Sequence, residues 1–574
     1  MQTVDERTGA ESALEGLDEL LEATMRDWKV PGMAALVIQD GEVVHARGYG
    51  LRDVERSSSV TPETIFAIGS CSKAFTATAM AMLADEGKLD WETPIREYLP
   101  DFRLKDPVAT EGMTAFDLLT HRGGLAGHEL MWYGSPFSRR ELYERLRHLE
   151  PDRGFRSRFE YSNLSYMVAG VLIEALSGLT WEQFVHERIF TPLGMHDSNV
   201  SVEETQQTNN HALPYGEKDG EVRPIPFRNL DAVGPAGSIN STVLDMAKWV
   251  MLQLNGGKHG DAQLVSEGQL AKVHTAQIVM EAPAKYEEMP LACYGLGWAV
   301  FPYRGHKLIW HSGGIDGFIA LTSFLPAQRS GVVILSNLDH NSAPYALTYA
   351  LSDRLLNLEA RPWSERLLKD HADMREATQK ARGATERVEG TRPSHDLAAY
   401  AGEYEHPGYG ALTIAVEGDN LQFIFHGQSH VLTHRHYDVF DWDTGFFDAV
   451  FPLTFATNAR GDVESVSIPL QSGIEDIRFT RVAAKAMRDP DFLARFTGTY
   501  ELMDMTVTVT LKGDNSLAAT IPGQPEIALE PYMGTEFSVR GQPGISVRFE
   551  QDESRAVTGF IFSQPGGAAR AAKT

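Results

Sequence analysis

The chain has 574 residues, 43% hydrophobic and 23% charged, a composition that suits a folded multidomain protein and excludes disordered and fibrous classes. A formal charge of −26 repels phosphate backbones and anionic lipid, which excludes nucleic acid and membrane surfaces as partners. Two cysteines, Cys71 and Cys293, are too few for a disulfide framework and are read as reduced.

Residues 1–9 are charged and lack an apolar leader core, and no later stretch approaches the roughly 18 consecutive apolar residues of a membrane span, so a cytoplasmic protein is expected. Leu14, Leu17, Leu20, Leu21 and Met25 stand at helical spacing and predict an amphipathic helix over 11–28. Asp40-Gly41, suited to a tight hairpin, joins strands predicted at 33–38 and 42–50. Helical patterns follow at 70–87, 114–119, 139–149, 164–176 and 243–254. Strands return at 307–311, 318–324 and 331–336, and a helix is predicted over 344–356. The pattern predicts an α/β (α+β) domain over 1–357, its antiparallel sheet built from both chain ends around a helical insertion.

Alternating charges over 359–395, as in Ser364-Glu365-Arg366, predict an exposed, charged helical linker, assigned to 358–395. Beyond it the chain reads as all-β, with strands at 412–416, 421–426, 431–442 and 506–511. Gly402-Glu403-Tyr404-Glu405 recurs as Gly498-Thr499-Tyr500-Glu501, and Gly418-Asp419-Asn420 as Gly513-Asp514-Asn515. Such self-similarity predicts two related β domains, 396–484 and 485–574.

Three motifs carry chemistry. Ser70-Cys71-Ser72-Lys73 is the single Ser-x-x-Lys of the chain and opens an apolar helical run. Residues three apart share a helix face, so Lys73 lies one turn below the Ser70 hydroxyl, and the helix N-terminus favours developing negative charge. Tyr161-Ser162-Asn163, the single Tyr-x-Asn, falls on a loop entering the next apolar helix. An ammonium beside Tyr161 would stabilise its phenolate, so Tyr161 and Lys73 are expected to share a proton, while the Asn163 amide offers donor and acceptor to substrate or to Lys73. His311-Ser312-Gly313-Gly314 ends a buried strand whose small residues admit a substrate backbone, and the N–H groups of Gly314 and Ser70 are expected to form an oxyanion hole.

In this order the motifs resemble those of the class C β-lactamase and penicillin-binding-protein-like serine hydrolases. The resemblance covers about 13–357 and includes Val30-Pro31-Gly32, Leu118-Leu119-Thr120-His121, Pro192-Leu193-Gly194-Met195 and Tyr294-Gly295-Leu296-Gly297-Trp298. It implies a β-lactamase/transpeptidase-like catalytic domain in which Ser70 is acylated, Tyr161 with Lys73 moves the proton, Asn163, Ser312, Gly313 and Gly314 hold substrate, and His311 orients substrate or tunes Tyr161. Two departures stand out: His311 where many β-lactamases carry lysine, and Gly123 where serine or threonine is expected before Gly124-Leu125. Histidine at that place also occurs in esterases, amidases and D-amino-acid-specific peptidases. One catalytic domain followed by two β domains is similar to D-aminopeptidases, whose extra domains are lipocalin-like barrels.

The expected function is therefore hydrolysis of an amide, peptide or ester bond through a Ser70 acyl-enzyme, with a small-molecule or short-peptide substrate and no cofactor or metal. Carboxylesterase or weak β-lactamase activity at the same site, and a catalytically silent scaffold, are the alternatives. A homo-oligomer is left open. His434 and His436 are expected to share a strand face, a spacing compatible with metal ligation, and are read instead as solvated or hydrogen-bonded imidazoles. Cys71 is read as a packed residue, and Asp316-Gly317 as turn chemistry.

Overall fold

The computed structural model describes residues 14–218, 220–281, 285–383, 387–445, 449–513, 516–542 and 544–574. The opening residues 1–9, part of the predicted first helix, and the repeated Asp514-Asn515 pair lie outside these. The chain divides into two compact units, the first running to residue 385 and the second holding two closed barrels.

In the first unit, helix α1 (Leu17–Asp27) buries Leu17, Leu21 and Met25, the stripe its spacing predicts. Strands β1 (Gly32–Gln39) and β2 (Glu42–Asp53) form a hairpin through Asp40-Gly41, both at positive φ. With β3 (Ser58–Ser59), β4 (Ile278–Val279), β5 (Cys293–Tyr294), β6 (Ala299–Tyr303), β7 (His306–Ile315), β8 (Phe318–Leu325) and β9 (Ser330–Ser336) they make one antiparallel sheet in the order β4-β5-β6-β7-β8-β9-β1-β2-β3. Chain ends therefore meet in the middle of the sheet, where β1 pairs β9 with Met33 opposite Ser336. Both strands are buried almost throughout, which explains their continuous apolar runs.

Between β3 and β4 runs the helical insertion. Helix α2 (Ser72–Asp85) is buried on every side from Ser72 to Leu83, as an apolar pattern without a polar face requires. The insertion continues through α3 (Ala115–Leu119), α4 (Glu129–Trp132), α5 (Arg139–Arg145), α6 (Asn163–Ser177) and α7 (Val243–Leu254). Capping boxes start α3 at Thr114 and α5 at Ser138. Two helices follow the sheet: α8 (Ala343–Leu355) and α9 (Trp363–Gly383). The exposed-linker expectation fails at the head of α9. Trp363 is 1% exposed and donates from Nε1 to the buried Asp353 carboxylate at 2.9 Å, so an indole in the core anchors this helix to the first unit.

In the second unit, eight strands from Gly402–His406 to Ile477–Val482 close one barrel and eight from Gly498–Leu502 to Gly567–Lys573 close another. Closure removes every sheet edge, and the interiors are filled by side chains such as Phe423, Phe479, Phe537 and Phe549. The repeated Gly-x-Tyr-Glu segments are the first strands of the two barrels. In each, the tyrosine hydroxyl donates to the carbonyl four residues earlier, Tyr404 to Tyr400 at 2.7 Å and Tyr500 to Phe496 at 2.8 Å. The single strand expected over 431–442 is two, Gln428–His436 and Val439–Asp443, because the chain turns at Tyr437 with φ +44°. A bulge between His434 and His436 breaks the alternation on which their shared face depended, and His434 Nε2 bonds the Tyr437 carbonyl at 2.9 Å.

Tyr404→Phe and Tyr500→Phe each remove one buried hydrogen bond of about 1 kcal/mol. Hydrogen exchange of strand amides is expected to quicken about fivefold, and only in the barrel that carries the substitution.

Candidate functional site

Ser70 lies in a 3₁₀ turn (Gly69–Cys71) that feeds α2. Two close approaches fix this turn against β7. Gly69 has φ +49°, and a Cβ on it would fall 2.9 Å from the Gly314 nitrogen; one on Gly313 would fall 1.8 Å from the Ile68 carbonyl oxygen. Neither position admits a side chain. Cys71 Sγ contacts the His311 carbonyl oxygen at 3.2 Å, and burial lifts its thiol pKa to about 12. The β6 pairing of β7 ends at Trp310, so residues 311–315 run past Ser70 with their β6-side edge unpaired.

One turn along, Lys73 is fully buried and its Nζ has three partners: Ser70 Oγ at 3.0 Å, Asn163 Oδ1 at 2.7 Å and the Ala236 carbonyl at 2.8 Å. Desolvation brings its pKa down to about 7, partly offset by the charge of Glu129. Asn163 opens α6, and its Nδ2 donates to both Glu129 oxygens at 3.2 and 3.3 Å, which fixes the amide with its oxygen toward Lys73. Ala236 arrives by a different route. A Cβ on Gly170 of α6 would fall 2.2 Å from Pro235 Cγ, so this glycine lets the segment Gly234–Gly237 press close enough for its carbonyl to reach Nζ.

Tyr161 stands just before α6, with its ring 4.8 Å from Lys73 Nζ and a hydrogen bond to Ser70. The expected shared proton is not the arrangement found. All three Lys73 contacts go elsewhere, and the two groups meet at the Ser70 hydroxyl rather than at each other. Burial pushes the Tyr161 pKa upward and the Glu129 charge adds to the rise, with the Ser70 bond only partly opposing it.

His311 is 5% exposed. Its Nδ1 lies 2.6 Å from the Ser312 carbonyl, an acceptor only, so Nδ1 carries the proton and Nε2 accepts from the Tyr294 hydroxyl at 2.9 Å. Burial brings its pKa down to about 3, assisted by Lys73, so this imidazole is neutral. His121 is neutral too: its Nδ1 accepts from the Ser162 N–H at 3.1 Å, and its ring lies 4.5 Å from that of Tyr161, centroid to centroid.

The structure thus brings together Ser70, Lys73, Tyr161 and Asn163 and lays His311 to Gly314 beside them. Sequence reading missed Glu129, which opens α4, a helix too short to show periodicity, and belongs to no motif. It also missed the support given by His121, Tyr294 and Tyr166, whose ring lies 5.4 Å from Lys73 Nζ, although the first two lie in the quoted family motifs and Tyr166 is three residues beyond Asn163 on α6. Asp316 does more than turn the chain: Tyr133 donates to it and Arg228 lies 3.5 Å away, tying the β7–β8 turn to the insertion. Among the described residues no cluster of three His, Cys, Asp or Glu side chains has metal-binding geometry.

Fold and site together define a serine hydrolase built on a Ser-x-x-Lys helix. The Beta-lactamase family model matches residues 17–357, and the chain belongs to that family. A second model, a domain of unknown function (DUF3471), matches residues 386–481. Unguisins hydrolases of Aspergillus campestris and Aspergillus violaceofuscus are each 31% identical to the chain, over 69% and 70% of it and 76% of their own lengths. Protein flp of Staphylococcus aureus is 25% identical over 59% of this chain and 66% of its own. The octameric penicillin-binding protein homologue from Pyrococcus abyssi shares the fold, with a TM-score of 0.53 at 23% identity over 89% of this chain and 98% of that one. Among the described residues no single helix is long and apolar enough to cross a membrane; the one pair that passes together, Asn163–Ser177 and Trp181–Leu193, is bent by 77°.

Gly170→Ala tests the route to Lys73. Alanine is the better helix former by about 1 kcal/mol, yet the added methyl displaces Pro235 and with it the Ala236 carbonyl. Expected are no gain in melting temperature and at least a tenfold slower reaction of Ser70 with a fluorophosphonate, followed by intact mass.

Proposed function

We propose that the chain cleaves amide or peptide bonds through a Ser70 acyl-enzyme, as a peptidase or amidase of the D-aminopeptidase-like kind. One observation carries the reading. Of the three groups around Lys73 Nζ, the Ala236 carbonyl and the Asn163 oxygen can only accept hydrogen bonds, whereas the Ser70 hydroxyl can also donate. A neutral amine therefore keeps its two N–H bonds on the two fixed acceptors and turns its lone pair to Ser70.

The steps follow. Ser70 Oγ attacks the substrate carbonyl carbon as its proton passes to Lys73 Nζ, and the N–H groups of Ser70 and Gly314 receive the oxyanion. The protonated Tyr161, bonded to Ser70, is placed to give its proton to the leaving nitrogen as the C–N bond breaks, and the Lys73 N–H that faced the now acylated Ser70 oxygen turns to the phenolate and restores it. Water then attacks the acyl-enzyme carbonyl, its proton returning by the same route, and Ser70 is released. Lys73 takes the role of base in this scheme because its pKa is lowered toward 7 while that of Tyr161 is raised. His311, neutral and bonded to Tyr294, acts by holding the β7 edge and supplies no fixed positive charge. That disfavours a β-lactamase reading, in which a cation at this place attracts a substrate carboxylate. The Aspergillus relatives named as unguisins hydrolases favour hydrolysis over a silent scaffold. An ester would pass through the same steps, so p-nitrophenyl esters, D- and L-aminoacyl anilides and nitrocefin are the substrates to compare.

A stoichiometric fluorophosphonate adduct is expected on the protein and none on Ser70→Ala; an adduct that persists in that variant defeats the reading. The labelling rate is expected to rise tenfold per pH unit below pH 7 and to level off above it, because only the neutral form of Lys73 accepts the proton. Lys73→Met is expected to abolish this pH dependence and to slow labelling at least a thousandfold, of the order of a lost general base.

A further inference from the structure

Residues around Ser70 fall into two groups by exposure. Lys73, His121, Tyr294 and His311 are all 5% exposed or less. Ser70, Glu129, Tyr161, Asn163 and Ser312 are partly open to solvent, so these are the side chains a substrate meets. Glu129 is the one acid among those five, and none of the five is a base.

Glu129 begins α4, with Oε1 lying where a Cβ on Gly127 would be 2.9 Å away. Both of its oxygens accept from Asn163 Nδ2, at 3.2 and 3.3 Å. A carboxylate has about four acceptor sites, so one amide N–H group leaves it with capacity to spare. Lys73 is the nearest cation, but its three contacts go to Ser70, Asn163 and Ala236. The carboxylate is desolvated as well, which raises its pKa to about 7 against the pull of Asn163 and Lys73. A desolvated acid with no direct cationic partner either takes up a proton or is completed by a cation from outside, and an arriving ammonium favours the charged form.

We infer that Glu129 is a specificity-determining residue that receives an ammonium group on the acyl part of the substrate, beside the Asn163 amide. The inference rests on the acyl-enzyme reading above and narrows its substrate class. A substrate carboxylate in the same place would face Glu129 and find Lys73 sealed beneath the surface, so the open part of the site selects for positive charge. The ammonium could be the free α-amine of an aminoacyl group or the side-chain amine of a lysyl group, and the two are separable by acetylation.

The test uses the full chain and Glu129→Gln, which keeps an oxygen for Asn163 and removes the charge. Alanyl p-nitroanilides of both hands, their N-acetyl forms and N-acetyl-lysyl p-nitroanilide are compared by kcat/KM. Independently of turnover, alaninamide, N-acetylalaninamide and N-acetyl-lysinamide are compared as protectants of Ser70 against the fluorophosphonate. In the native protein at least a tenfold preference for an amine-bearing compound over its neutral counterpart is expected, in turnover or protection, and Glu129→Gln is expected to lower that ratio at least tenfold. Preference for free-amine alanyl compounds assigns the α-amine, and preference for N-acetyl-lysyl compounds assigns the side chain. An equal response to amine and acetylated compounds, or a preference that Glu129→Gln leaves intact while Ser70 still labels, overturns the inference. Failure of Ser70 to label in the native protein instead defeats the acyl-enzyme reading on which it rests.

Discussion

A lysine sealed from water normally loses its charge or finds a carboxylate; Lys73 does neither outright. Its nitrogen is held by one backbone carbonyl, one amide oxygen and one hydroxyl, and only the hydroxyl can reverse the direction of its hydrogen bond. That asymmetry converts a buried amine into a directed one. The rest of the first unit can be read as what supplies the two fixed acceptors and keeps water from replacing them.

The acceptors come from separate parts of the insertion. Asn163 is set by the start of α6 and has its amide orientation fixed by Glu129, while Ala236 is carried in by a segment that Gly170 allows to approach α6. The hydroxyl comes from a turn that fits against β7 only because residues 69 and 313 lack side chains. The aromatic and imidazole groups around Tyr161 are neutral and buried, so they give shape and low polarity rather than charge. The same low polarity lowers the lysine pKa and raises that of the tyrosine, which separates the proton acceptor from the proton donor, while the Glu129 charge raises both.

The second unit shows how closely a local repeat can track a fold. Gly402-Glu403-Tyr404-Glu405 and its counterpart at 498 begin the two barrels with the same tyrosine-to-carbonyl bond, because that contact spans four residues and is written locally. The break between the strands at Gln428–His436 and Val439–Asp443 is not legible in the same way. His436-Tyr437-Asp438 carries no glycine or proline to announce a turn, and Tyr437 takes the left-handed conformation in a two-residue hairpin loop held by the pairing of His436 with Val439. Trp363 likewise reads as linker, since one indole in a charged helix has no periodicity, and only Asp353 and the aromatic cluster around it explain its burial.

By itself the sequence determined the sheet made from both chain ends, the fully buried helix after Ser70, the three motifs and the doubling of the β region, because each is written in periodicity, turn chemistry or short-range spacing. Only the tertiary structure decided which proton acceptors surround Lys73, that the Tyr161 phenol is stabilised in its protonated form, that His311 is neutral and turned to Tyr294, and that Glu129 joins the site. Those outcomes depend on desolvation and on groups tens to hundreds of residues apart, and no local pattern encodes either.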